Sequence, residues 1–278
     1  MERNSNSGWT DIVALAAILL ASTFVAIGCS ALVRSVAPEI DGDILNFIIY
    51  TVQFSLAVVG GAVWLGNRGG LKFRPGIGWS AAPVILGGVI VMTATNVVIE
   101  PLLLIFPERW IARVDTMIGT GGWAILMVVL AAPVLEELFF RGLLLETLSR
   151  KWRPWAAVLA SAAVFSVVHI IPTQMVNALV IGIVWGYLYL ISRSLVVVII
   201  IHSINNGLAY LSRELAGTQL TSTRELVGND TIYWILYAAS AVIFVVSTVL
   251  MARSVARRDT KTSEIPLQTK IEDAKPTP

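Results

Sequence analysis

The run 122–148, GWAILMVVLAAPVLEELFFRGLLLETL, decides the fold. A bilayer is crossed by a helix of ~20 apolar residues, and this run is long enough to be one. Yet it carries Glu136, Glu137, Arg141 and Glu146. A charge at the centre of an inserting helix costs ~2.5–3.5 kcal/mol, so Glu136, Glu137 and Arg141 together cost roughly 8–10 kcal/mol before any pairing. Glu137 precedes Arg141 by four residues, the favourable order for an ion pair along one helix face. Glu136 points ~100° away around the helix. One carboxylate is thus neutralised within its own helix, and the other is left to face a different part of the molecule.

Working outward, the same kind of run recurs. Ile12–Val33, Ile44–Leu65 and Trp79–Ile99 precede it, and Trp155–Ile171, Met175–Ile191, Leu195–Leu211 and Thr231–Met251 follow. Runs this long and unbroken read as helices, and the short alternating segments of a membrane β-barrel are missing. The expected fold is all-α, a polytopic membrane protein of about eight transmembrane helices. Between the third and fourth runs, Pro107–Ile118 places Trp110, Ile111, Val114, Met117 and Ile118 on one helical face, the pattern of a short helix lying on the membrane surface. Residues 1–252 form the integral membrane domain. Residues 253–278, rich in Lys, Thr, Pro and Glu, are expected to be a disordered cytoplasmic tail.

Composition agrees. The 278 residues are 56% hydrophobic and 14% charged, against roughly 45–50% and 25% in soluble domains, and mean hydropathy is +0.78. This excludes a soluble globular enzyme and a disordered regulator. A net charge of +2 makes no electrostatic case for nucleic acid. The single cysteine, Cys29, excludes an intrachain disulfide and reads as a buried apolar thiol. The first run exceeds the 7–15 residues of a signal h-region and reads as a retained span.

Every second loop is basic: Arg68, Lys72 and Arg74, then Arg150, Lys151 and Arg153, then Arg193, then Arg253, Arg257 and Arg258. The intervening loops are acidic, balanced or uncharged. With basic loops retained inside, both termini are expected in the cytoplasm. Trp79, Trp123 and Trp155, at span ends, read as interface anchors. Asn46, Gln53, Asn96 and Asn177 read as hydrogen bonds between helices, and Gly182 with Gly186 as close helix packing.

The two histidines are the only ones in the chain, and both sit inside apolar runs: His169 one turn after Phe165, and His202 one turn before Asn206. Ionisable residues at such depth mark function by default. Glu136-Glu137-x-x-x-Arg141, Phe165-x-x-x-His169 and His202-x-x-x-Asn206 resemble, in order and spacing, the three motifs of the CAAX protease and bacteriocin-processing family. Its characterised members are intramembrane glutamic proteases, type II CAAX prenyl endopeptidases among them. The resemblance covers roughly residues 121–211.

The resemblance implies an endopeptidase acting on a membrane-associated protein or peptide within the lipid bilayer, with no cofactor. It implies Glu136 as general base, His169 on the same water, and His202 with Asn206 as oxyanion donors. Glu137, Arg141 and Phe165 are the supporting residues. The spacing leaves Glu137 open as the base, although Arg141 already engages it. A zinc site of His169, His202 and a glutamate is the metal reading. It leaves Arg141 and Asn206 without a role, and no metal is expected. A silent membrane scaffold or immunity protein, or a proton-coupled transporter, are the other functions such residues allow.

Overall fold

The structure, a computed structural model, describes residues 7–70, 76, 81–216 and 222–272. Lys72, Arg74, Trp79 and the last six residues of the tail lie outside these. Among the described residues every regular element is helical, and seven helices are long and apolar enough to cross a membrane.

Helix α1 (Ser7–Val36) turns at Asp41 into α2 (Gly42–Asn67). The Asp41 carboxylate caps α2 by accepting from the backbone N–H groups of Asp43 and Ile44, at 2.9 and 3.0 Å, which satisfies donors a helix start leaves open. α3 (Ala81–Leu103) carries Pro101 near its end. The short helix expected from the Trp110 periodicity is present as α4, Glu108–Ile118.

The fourth span runs unbroken from Gly122 to Leu148 but changes its winding four times. α5 (Gly122–Ile125) gives way to a π-helical segment, π1 (Leu126–Ala131). α6 (Ala132–Glu137) is followed by a second, π2 (Leu138–Leu145), and α7 (Glu146–Leu148) ends the span. π segments are rare and gather at functional sites, and here they flank the two adjacent glutamates.

The fifth run is shorter than its hydropathy suggests. α8 covers Pro154–Val167. Its 14 residues at ~1.5 Å each reach about 21 Å, short of the ~30 Å hydrocarbon core. The cause is Pro172, whose ring disfavours helical backbone at Ile171. The chain therefore leaves the helix at Val168 and passes through Ile170 at φ 60°, a conformation a β-branched residue rarely adopts. It then starts α9 (Pro172–Ser192) with proline in the first turn. Among the described residues there are thus seven long apolar helices and one short one, where the sequence predicts about eight spans.

α10 (Leu195–Ala216), the short α11 (Thr223–Val227) and α12 (Asp230–Glu272) complete the chain. α12 continues past Arg253, where composition predicts that order ends.

The core gathers around π2: Phe139, Phe140, Leu143 and Leu145 are buried with Leu15 of α1, Ala57 of α2, Val158 of α8 and Trp185 of α9. Gly61 of α2 lies where these helices meet. A Cβ at that position would stand 2.8 Å from Leu143 Cδ1 and 2.9 Å from Leu15 Cδ2.

Polar contacts sort the helix ends into two groups. At one end Asp11 accepts from Trp64 Nε1 and pairs with Arg68. Arg150 donates to the Gly70 carbonyl, Trp9 packs on Trp152, and Arg193 pairs with Glu146. At the other end Asp43 accepts from Thr120 N–H, Arg213 donates to the Gly119 carbonyl, and Glu100 accepts from Thr223 N–H. Arg68, Arg150 and Arg193, from three loops expected to be basic and on one side, share one end.

Candidate active site

The site is built on α6, where two π segments place consecutive glutamates at mid-span. Glu136 is 6% exposed, and Glu137 is fully buried. As the spacing predicts, Arg141 Nη1 donates to Glu137 Oε1 at 2.9 Å. Its Nη2 reaches the Gly182 carbonyl of α9 at 3.3 Å. The guanidinium lies over the Phe165 ring at 4.7 Å and near Trp185 at 5.6 Å, so cation–π attraction adds to the pair.

His202 of α10 comes between the two carboxylates. Its Nδ1 is 2.9 Å from Glu137 Oε1, and its Nε2 is 3.7 Å from Glu136 Oε2. An ionised carboxylate only accepts, so Nδ1 carries a proton toward Glu137, and Nε2 is the ring atom turned to Glu136. The Trp185 ring covers the imidazole, with centroids 4.2 Å apart. Glu137 therefore orients the two cationic or proton-bearing partners, Arg141 and His202, through one oxygen.

Glu136 takes a hydrogen bond from another helix. Its Oε1 accepts a hydrogen bond from the Tyr50 hydroxyl of α2, which leaves Oε2 facing His202. Tyr50 is a site residue that reading the sequence did not single out. It stands 86 positions from Glu136, and no local spacing rule reaches across that distance.

His169 follows the end of α8. Its Nδ1 stands 2.7 Å from the Phe165 carbonyl. A carbonyl only accepts, so Nδ1 is protonated, and a neutral ring presents its Nε2 lone pair. Its hydrogen bond goes to this backbone group rather than to Glu136. The link to the rest of the site is Phe165, whose ring meets His169 edge-on at 4.7 Å and His202 at 6.2 Å.

Asn206 lies one turn beyond His202 on α10, and its contacts run to π1. Its Nδ2 donates to the Val128 carbonyl at 2.9 Å. That carbonyl has lost its helical partners for a definite reason. The Ala132 N–H is bonded to the Met127 carbonyl in the π pattern, and the next residue, Pro133, has no N–H. In a membrane span an unpaired carbonyl costs several kcal/mol, and the Asn206 amide removes that cost with one of its two protons.

The other polar span residues separate. Gln53 donates to Thr23 Oγ1 at 2.9 Å and Asn96 to Asn205 Oδ1 at 2.8 Å, both between helices as the sequence suggests. Asn177 Oδ1 is buried without a partner among the described residues. The Gly182 carbonyl belongs to the Arg141 site, beyond the packing role its spacing suggests. Among the described residues no group of three or more His, Cys, Asp or Glu side chains is placed to share a metal ion.

Residues 119–208 match the family described as type II CAAX prenyl endopeptidase Rce1-like. The matched stretch holds Glu136, Glu137, Arg141, Phe165, His169, His202 and Asn206, and leaves out Tyr50 and Asn96. No curated protein and no solved structure matches the chain.

Proposed function

We propose that the protein is an intramembrane endopeptidase that hydrolyses a peptide bond of a membrane-associated protein or peptide, with Glu136 as the base. The observation that carries this reading is the division between two adjacent carboxylates. Glu137 is engaged at hydrogen-bond distance by both Arg141 and His202, whereas Glu136 keeps Oε2 turned to His202 Nε2 at 3.7 Å, beyond hydrogen-bond distance. Two neighbouring carboxyl groups held in different environments are how one site separates a structural charge from a working one.

In this scheme Glu136 takes a proton from a water as its oxygen bonds to the scissile carbonyl carbon. The carbonyl oxygen becomes an oxyanion. His202, carrying a proton on both ring nitrogens before the attack, donates to it from Nε2 while Nδ1 donates to Glu137. The second N–H of Asn206 is the other donor. The carbon–nitrogen bond then breaks, and His169, with Nε2 open, relays the proton to the leaving amine. The products are a carboxylate and an amine. Both termini and the basic loops stand on the cytoplasmic side.

The test is cleavage of an internally quenched peptide library by the purified full chain, with and without a strong chelator. Glu136→Gln keeps the size and the acceptor for Tyr50 but removes the base, so cleavage falls to background with unchanged folding. Chelation leaves the wild type active. An active, normally folded Glu136→Gln variant would remove Glu136 as the base and return that role to Glu137, whereas a folded wild type that cleaves nothing would favour a silent scaffold or a proton-coupled transporter. Activity lost to chelation and restored by zinc would return the metal reading.

A further inference from the structure

Three side-chain amides form a chain that ends on the Val128 carbonyl. Asn96 Nδ2 of α3 donates to Asn205 Oδ1 at 2.8 Å. Asn205 Nδ2 donates to Asn206 Oδ1 at 3.2 Å. Asn206 Nδ2 donates to the Val128 carbonyl at 2.9 Å. An amide can be turned over end for end, so the direction of such a chain needs a cause. Here the cause is Pro133. It leaves the Val128 carbonyl as a fixed acceptor, and Asn206 must turn its NH₂ toward it. Asn206 Oδ1 then faces Asn205, which must turn its NH₂ that way. Asn205 Oδ1 in turn requires a donor, and Asn96 supplies it. Reversing any one amide sets two acceptors against each other in a low-dielectric span, where an unmade hydrogen bond is expensive.

From this chain we infer that Asn96 is a positioning residue for the reaction: acting through Asn205, it holds the amide of Asn206 with one N–H on Val128 and the other turned to the site. The inference rests on the proposed role of Asn206 as an oxyanion donor. It extends the working machinery to α3, outside the segment that matches the protease family. The plain competitor is that Asn96 and Asn205 only hold α3 against α10, as polar residues commonly do between membrane helices. Their geometry distinguishes the two. Asn205 is 9% exposed and uses its oxygen toward α3 and its nitrogen toward Asn206, so the bond between helices and the orientation of Asn206 are one connected object.

The experiment uses the full chain in detergent and reads two quantities. One is steady-state cleavage of an internally quenched peptide. The other is the side-chain ¹⁵N–¹H₂ resonance of Asn206, assigned by its loss in Asn206→Ala. Asn96→Leu is expected to lower kcat about 10-fold at unchanged KM, the scale on which a supporting partner acts, and to shift the Asn206 resonance. In an Asn206→Ala background the same change is expected to cost nothing more, because its route is already cut. Asn205→Leu breaks the same chain at its middle link and serves if Asn96→Leu does not fold. Equal losses in both backgrounds, or an unmoved resonance, would reduce Asn96 to a packing contact and leave the protease reading intact. If the wild type cleaves no peptide, the protease reading fails, and with it the catalytic use of the chain. The resonance then decides alone whether Asn96 orients Asn206.

Discussion

Replacing Arg141 by methionine keeps an apolar side chain of similar length in the core and removes one charge of a buried pair. The pair is almost sealed, with 1% of the Arg141 side chain and none of Glu137 exposed. Removing one partner of such a pair costs ~3–5 kcal/mol because the other charge is left uncompensated. In this site the cost of the broken pair falls at the lower end, ~3 kcal/mol, because His202 Nδ1 still donates to the same Glu137 oxygen at 2.9 Å. The guanidinium also lies over Phe165 and beside Trp185, and a desolvated cation–π contact adds ~1–2 kcal/mol. The expected loss is therefore about 4–5 kcal/mol. It is read as the shift of the SDS-titration unfolding curve in mixed micelles, followed by circular dichroism. Adding Glu137→Gln should recover ~2–3 kcal/mol, since neither charge is then alone and the glutamine oxygen still accepts from His202. The reasoning fails if Arg141→Met unfolds within 1 kcal/mol (roughly the scale of an exposed pair) of the wild type, or if the double variant is as unstable as the sum of its parts.

Three further outcomes are expected. Tyr50→Phe removes the hydroxyl that fixes Glu136 Oε1, so kcat should fall ~10-fold or more while the unfolding midpoint moves little; an unchanged kcat would show that Glu136 needs no such restraint. Gly182→Ala sets a Cβ 3.2 Å from Ala162 Cβ and 3.3 Å from both Ala162 Cα and Phe165 Cδ1. α8 and α9 must then separate, at ~1–3 kcal/mol, with a parallel loss of activity as Phe165 shifts. Topology reporters at the N terminus, Gly69, Trp152 and the tail should read cytoplasm, and those at Asp41 and Thr221 the outside; an outside signal at Trp152 would overturn the orientation.

What could be read from the sequence was whatever is local to one helix. Long apolar runs announce spans because insertion depends on the composition of a single segment. The Glu137–Arg141 pair is readable because four residues bring two side chains to one face whatever surrounds the helix. Asn206 and the histidines are conspicuous because polar groups are rare at that depth. The early end of α8 is also written locally, in Pro172, although a hydropathy run passes over it.

Which helix faces which is a different kind of fact. It depends on how the long helices rotate and pack, and on contacts between positions tens of residues apart. Only the tertiary structure brings Tyr50 to Glu136, Trp185 over His202, and His202 to Glu137 as well as toward Glu136. The π winding shows the division within one segment. Pro133 is visible in the sequence and guarantees a missing N–H, but which carbonyl loses its partner depends on the turn adopted there. That the orphan is Val128, and that Asn206 answers it, follows from the register of π1 against α10, which no spacing within either segment contains.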